Sequence, residues 1–122
     1  MPEMLTKNFS RDELACPCCK ACPMDKGMLV KLQELRDEWG SSLYVNSAYR
    51  CAKHNSDPKV GGKPASRHLS GDAVDISNHN MNAFEKYKFL KLIIEMGWTG
   101  IGLHKNFFHV DTRPGVPIIW NY

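Results

Sequence analysis

The stretch Ser66–Ile76, SRHLSGDAVDI, sets a histidine and an aspartate seven residues apart, with Gly71 between them and Val74 and Ile76 flanking the aspartate. Donors at an odd spacing cannot share one face of a straight strand, where side chains alternate. The reading that reconciles them is a tight turn through Ser66–Ser70, a break at Gly71 and a strand from Asp72 to Ile76. Gly71 lets the chain reverse, so His68 folds back over the strand that presents Asp75.

Working outward, a helix is predicted from about Met81 to Met96, with Phe84, Tyr87, Leu90, Ile93 and Ile94 on one side and Gly97 as its stop. Two strands, WTGIGLH and FFHVDTR, close the chain around a short turn at Lys105 and Asn106. Upstream, CAKHNSDPKVGGKPA holds Pro58, Gly61, Gly62 and Pro64 and reads as a loop. LYVNSAYR before it reads as a strand from Leu43 to about Ser47. Met28, Leu32, Leu35 and Trp39 repeat at helical spacing from Asp25 onward, and Gly40 stops the run. Ser10 and Glu13 form a capping-box pattern for a short helix that buries Phe9 and Leu14. The expected fold is α+β: a small, mostly antiparallel sheet with flanking helices, in a single domain over residues 1–122.

Apolar residues make up 43% and charged residues 24%, a globular composition rather than a disordered one. The formal charge of +3 is mild and its basic residues are scattered, so nucleic acid is not an expected partner. The opening MPEMLTKNFSRDEL is charged where a signal peptide needs an apolar run, and no apolar stretch is long enough to span a membrane. Synthesis in the cytoplasm, without a signal peptide and without a membrane partner, is therefore expected. Of five cysteines, Cys16, Cys18, Cys19 and Cys22 lie in CPCCKAC and Cys51 follows SAYR. The count is odd, and structural zinc sites usually join two separated cysteine pairs. Reduced thiols packing near Cys51 are expected, with a second zinc at Cys16, Cys18, Cys19 and Cys22 as the alternative.

If the strand of Asp75 pairs with the last strand, His109 joins His68 and Asp75. Two imidazoles and one carboxylate leave a vacancy in a tetrahedral shell, the pattern of a catalytic zinc that polarises a carbonyl and lowers the pKa of water. A metal centre with so few oxygen donors favours zinc over harder ions.

SAYR, then SRHLSGDAVD read as Ser-x-His-x-x-Gly-x-Ala-x-Asp, then GIGLHKNFFHVDTR, resembles the zinc D-alanyl-D-alanine carboxypeptidase family, which also holds phage L-alanyl-D-glutamate endolysins and shares its fold with the Hedgehog signalling domain. The resemblance runs from about Asn8 to Trp120 and implies that His68, Asp75 and His109 ligate zinc. It further implies that Arg50 lies beside the metal and stabilises an oxyanion or a substrate carboxylate; on sequence alone Arg50 reads as half of a surface ion pair. The implied activity is hydrolysis of a peptide bond in the peptidoglycan stem peptide. The implied setting is phage or prophage lysis, by a monomer acting on the cell wall after release or as part of a virion. A zinc-stabilised binding module that has lost most catalysis is the alternative. Relatives carry an acidic general base three residues before the last histidine ligand, where this chain has Asn106, and an amide takes no proton at neutral pH. Two candidates remain. Asp111 shares the strand face of His109, as base or as that histidine's partner, and His104 sits across the turn, as a catalytic group or a solvated turn residue.

Overall fold

Each helix starts where a side chain satisfies the first free backbone N–H groups. In the computed structural model, which describes residues 3–63 and 66–122, Ser10 and Glu13 exchange hydrogen bonds as a capping box and open α1, Arg11–Leu14. Asp25 accepts from the Met28 N–H and opens α2, Lys26–Trp39, which Gly40 ends in the left-handed region at φ 76°. Asn82 and Glu85 form a second capping box and open α4, Ala83–Glu95. Between them, Cys51 caps α3, Ala52–Ser56, through its sulfur on the His54 N–H. This short helix replaces part of the expected loop; cysteine is not a usual N-cap residue, so the sequence carried no recognisable start signal. Pro64, counted with that loop, lies outside the described residues.

The strands are β1, Val45–Ser47; β2, Ala73–Ser77; β3, Gly100–Leu103; β4, Phe107–Asp111; and β5, Ile118–Asn121. Their order is β1-β2-β4-β3-β5, antiparallel throughout except that β5 runs parallel to β3. β5 was not expected: it is a four-residue edge strand, its Ile118 and Ile119 are exposed, and it carries little of the alternation that marks a half-buried strand.

One face of the sheet is apolar. Val74, Ile76, Ile101, Phe108 and Val110 pack there with Met28, Leu32 and Leu35 of α2 and with Phe89 and Ile93 of α4. Phe89 lies 5.1 Å from Trp39 and 5.2 Å from Phe108, joining both helices to the sheet. On α4 the buried stripe is Phe89 and Ile93, whereas Phe84, Tyr87 and Ile94 are exposed by 67%, 62% and 54%. This helix has more apolar residues than one face can bury, and periodicity alone does not select the packed stripe. The alternation that sends Val74 and Val110 into the core sends Asp75, His109 and Asp111 to the opposite face. Among the described residues no helix is long and apolar enough to cross a membrane.

Gly71 ends the 3-10 turn Arg67–Ser70 at φ 71°, and a Cβ there would lie 2.2 Å from the Pro23 carbonyl oxygen. The Gly71 carbonyl accepts from the Asp25 N–H at 2.9 Å, so the turn that carries His68 is docked against the start of α2. Gly71→Ala should cost about 2 kcal/mol or more, from left-handed strain plus overpacking, read as a lower urea midpoint. An unchanged midpoint would show that the turn is not held in this way.

Candidate metal centre

β2 and β4 pair with Asp75 directly opposite His109, and the reversal at Gly71 brings His68 over the same face. His68, Asp75 and His109 are all buried. The Nδ1 of His68 lies 2.6 Å from the Ala48 carbonyl oxygen, which only accepts, so Nδ1 carries the proton and Nε2 presents its lone pair. That Nε2 is 3.2 Å from Asp75 Oδ1. On the other side the Nε2 of His109 lies 2.7 Å from Asp111 Oδ2 and its Nδ1 lies 3.0 Å from the same Asp75 Oδ1. A neutral His109 that donates to Asp111 therefore turns a second lone pair toward Asp75.

Two ring lone pairs and a carboxylate oxygen thus converge, with the three ligand atoms within 4.8 Å of one another. Such a meeting of acceptors requires a cation between them, a proton or a metal. The protonation balance reflects it. Burial pushes Asp75 up, but the hydrogen bonds and charges of His109 and His68 outweigh it and hold the carboxyl well below the usual range. Burial pushes His109 down, and its bonds to Asp111 and Asp75 more than reverse this. Two imidazole nitrogens and one carboxylate oxygen, each oriented by an outer partner, fit zinc with a position left for substrate or water.

Arg50 stands beside this centre. Its Nη2 is 3.2 Å from Asp75 Oδ2, its Nε donates to Ser47 Oγ at 3.0 Å, and its Nη1 points to Asn55 Oδ1 at 3.4 Å. Its ion pair is thus with the central carboxylate and not a surface one; both side chains are largely buried.

Asp111 is fully buried. Its Oδ1 accepts from the Arg113 N–H and Nε, and its Oδ2 meets His109 Nε2 and Arg113 Nη2. All four acceptor sites of that carboxylate are filled, so it has no lone pair with which to take a proton from water. His104 stacks on Phe107 at 4.3 Å, and Phe107 shares the strand face of His109, so His104 is on the metal face of the sheet. Its Nδ1 accepts the Asn106 N–H at 3.0 Å, which leaves the neutral ring with its proton on Nε2. Of the two expected bases, then, Asp111 is bound to His109 and Arg113, and His104 presents an N–H.

Three neighbours were not anticipated. Arg113 clamps Asp111 and lies 5.0 Å over the Trp120 ring. Trp120 lies 5.2 Å from His109, and Tyr122 lies 5.4 Å from His104 and 5.5 Å from Phe107. Gly102 was the available signal: it pairs with both His109 and Trp120, and a Cβ on it would meet the indole at 2.8 Å. A glycine inside a strand marks a close approach, here of an aromatic ring.

The thiols regroup as well. Cys16, Cys18 and Cys19 lie with Cys51, not with Cys22, which packs against the hydrophobic core. Cys22 is excluded because the chain has already turned toward α2, while Cys51 arrives from the start of α3.

The Peptidase M15 family model matches residues 7–111, which include the three converging donors and Arg50. The chain belongs to the peptidase M15 family. No curated protein matches it. Within this M15 peptidase, the matched segment ends at Asp111, so Arg113, Trp120 and Tyr122 lie beyond it.

Proposed function

We propose that this M15 peptidase is a zinc metallopeptidase that hydrolyses a peptide bond of the peptidoglycan stem peptide, as a D,D-carboxypeptidase or an L-Ala-D-Glu-type endopeptidase. The observation that carries the reading is the convergence of His68 Nε2, Asp75 Oδ1 and His109 Nδ1, with Arg50 on the other oxygen of Asp75. Zinc held there supplies Lewis acidity, which polarises the scissile carbonyl and makes water more acidic. The remaining work falls to side chains. Arg50 offers a planar fork of N–H donors for the developing oxyanion or for a substrate carboxylate. Asp111, itself held by Arg113, fixes the His109 ring and is a positioning residue. His104 presents its Nε2–H as a hydrogen-bond donor to the reacting peptide group. A water oxygen bonds the carbonyl carbon, the C–N bond breaks, and a proton from that water reaches the leaving amine by way of solvent. Phe107, Trp120 and Tyr122 offer an apolar wall to the short side chains of a stem peptide.

The setting that suits this reading is phage or prophage lysis, by a monomer that reaches the wall after release or as part of a virion. A second reading, a zinc-stabilised binding module with weak catalysis, is favoured by Asn106, whose amide stands where relatives place the base. Release of free amine from purified cell walls, with and without chelator, separates the two. Arg50→Lys keeps the charge but loses the fork, and should lower hydrolysis at least about ten-fold with zinc retained. Undiminished turnover by that variant would reduce Arg50 to a structural ion pair.

A further inference from the structure

The second thiol group is built from two chain segments. Cys16 Sγ lies 3.5 Å from Cys18 Sγ and 3.6 Å from Cys51 Sγ, and Cys18 and Cys51 are 3.2 Å apart. With Cys19, all four sulfurs lie within 4.8 Å of one another, and none is in a disulfide. A tetrahedral ion with Zn–S bonds of about 2.3 Å sets its sulfurs about 3.8 Å apart, so the group needs to expand only slightly to hold one.

The backbone around it is shaped for thiolate. The chain closes on itself through Cys16 N–H to the Ala21 carbonyl and Lys20 N–H to the Cys16 carbonyl, both at 2.8 Å, with Lys20 in the left-handed region at φ 64°. The Cys51 N–H points to Cys16 Sγ at 3.5 Å, and the His54 N–H points to Cys51 Sγ at 3.4 Å. N–H groups directed at sulfur offset the negative charge that a tetrathiolate site accumulates. We infer that Cys16, Cys18, Cys19 and Cys51 form a closed structural zinc site, separate from the His68, Asp75 and His109 centre. Metal binding at these sulfurs would release the thiol protons. Because Cys51 follows Arg50, the ion would tie the CPCCKAC loop to the backbone from which Arg50 reaches Asp75.

The test is metal content and cobalt spectroscopy of the full chain, purified under reducing conditions. Wild type should hold about two zinc equivalents; His109→Ala and Cys51→Ser should each hold about one, and Cys22→Ser about two. Cobalt loaded into His109→Ala should show the intense thiolate charge-transfer band and the visible bands of a tetrahedral site, a result that stands even if Cys51→Ser fails to fold. A wild type whose single equivalent disappears in His109→Ala would overturn the inference. So would a native mass short of two hydrogens, showing a disulfide in the group, or a cobalt-loaded His109→Ala without the thiolate band.

Discussion

His109→Ala should empty the histidine and aspartate centre and reduce stem-peptide hydrolysis to the level of chelated wild type. Among the described residues, the imidazole alone touches both Asp75 and Asp111: Nδ1 faces the first at 3.0 Å and Nε2 the second at 2.7 Å. Its loss removes one metal donor and the partner of two buried carboxylates at once. Arg113 still holds Asp111, and Arg50 and His68 still face Asp75, so the fold should survive in weakened form. Breaking a buried charged pair on one side typically costs about 3 kcal/mol, and the stabilisation contributed by bound zinc is lost in addition. Zinc analysis and a urea midpoint measured on the same sample read both effects. Full hydrolysis by this variant would show that the reacting metal, or the reaction itself, lies elsewhere.

Asn106→Asp should raise hydrolysis about a hundred-fold, the usual scale of general-base catalysis. Asp111 has all its acceptor sites filled by His109 and Arg113, and His104 spends its free nitrogen on the Asn106 N–H. Neither can take a proton from water as it stands. The Asn106 backbone is fixed by that bond and by its carbonyl, which accepts from the Asn78 N–H at 3.1 Å. The substitution therefore changes a side-chain charge without moving the turn. Steady-state rates on a soluble stem peptide check it, with zinc content held equal. Unchanged rates in Asn106→Asp beside a large loss in His104→Ala would mean that the His104 ring turns over during catalysis and is itself the base.

The meeting of His68, Asp75 and His109 was legible because their order along the chain is a pattern of strand alternation broken by one glycine. Val74 and Ile76 demand a buried face, so Asp75 must take the other; Gly71 alone permits His68 to return over it. The caps at Ser10 and Asp25 and the stop at Gly40 are equally local, and their helices lie where the sequence places them. What escaped depends on distant partners. Thiols packing near Cys51 were expected, but that Cys16, Cys18 and Cys19 would meet it while Cys22 packed against the core was not, since Cys51 lies 35 positions from Cys16. The stripe of α4 that packs is decided by Trp39 and Phe108, which lie on other elements. β5 exists because β3 offers it a free edge, and only the bare Gly102 hinted that an indole would cross there. Which lone pairs of Asp111 and His104 are already committed is a matter of ångströms that spacing cannot express.

Hydrolysis of a defined stem peptide is to be measured with wild type stripped of metal and then returned to about two equivalents of zinc, enough to fill both the thiol group and the His68, Asp75 and His109 centre. Release of free amine should stop on chelation, return with zinc in wild type, and not return with zinc in His109→Ala. Hydrolysis that persists in fully stripped protein, or that zinc restores equally in His109→Ala, would contradict zinc catalysis at the His68, Asp75 and His109 centre.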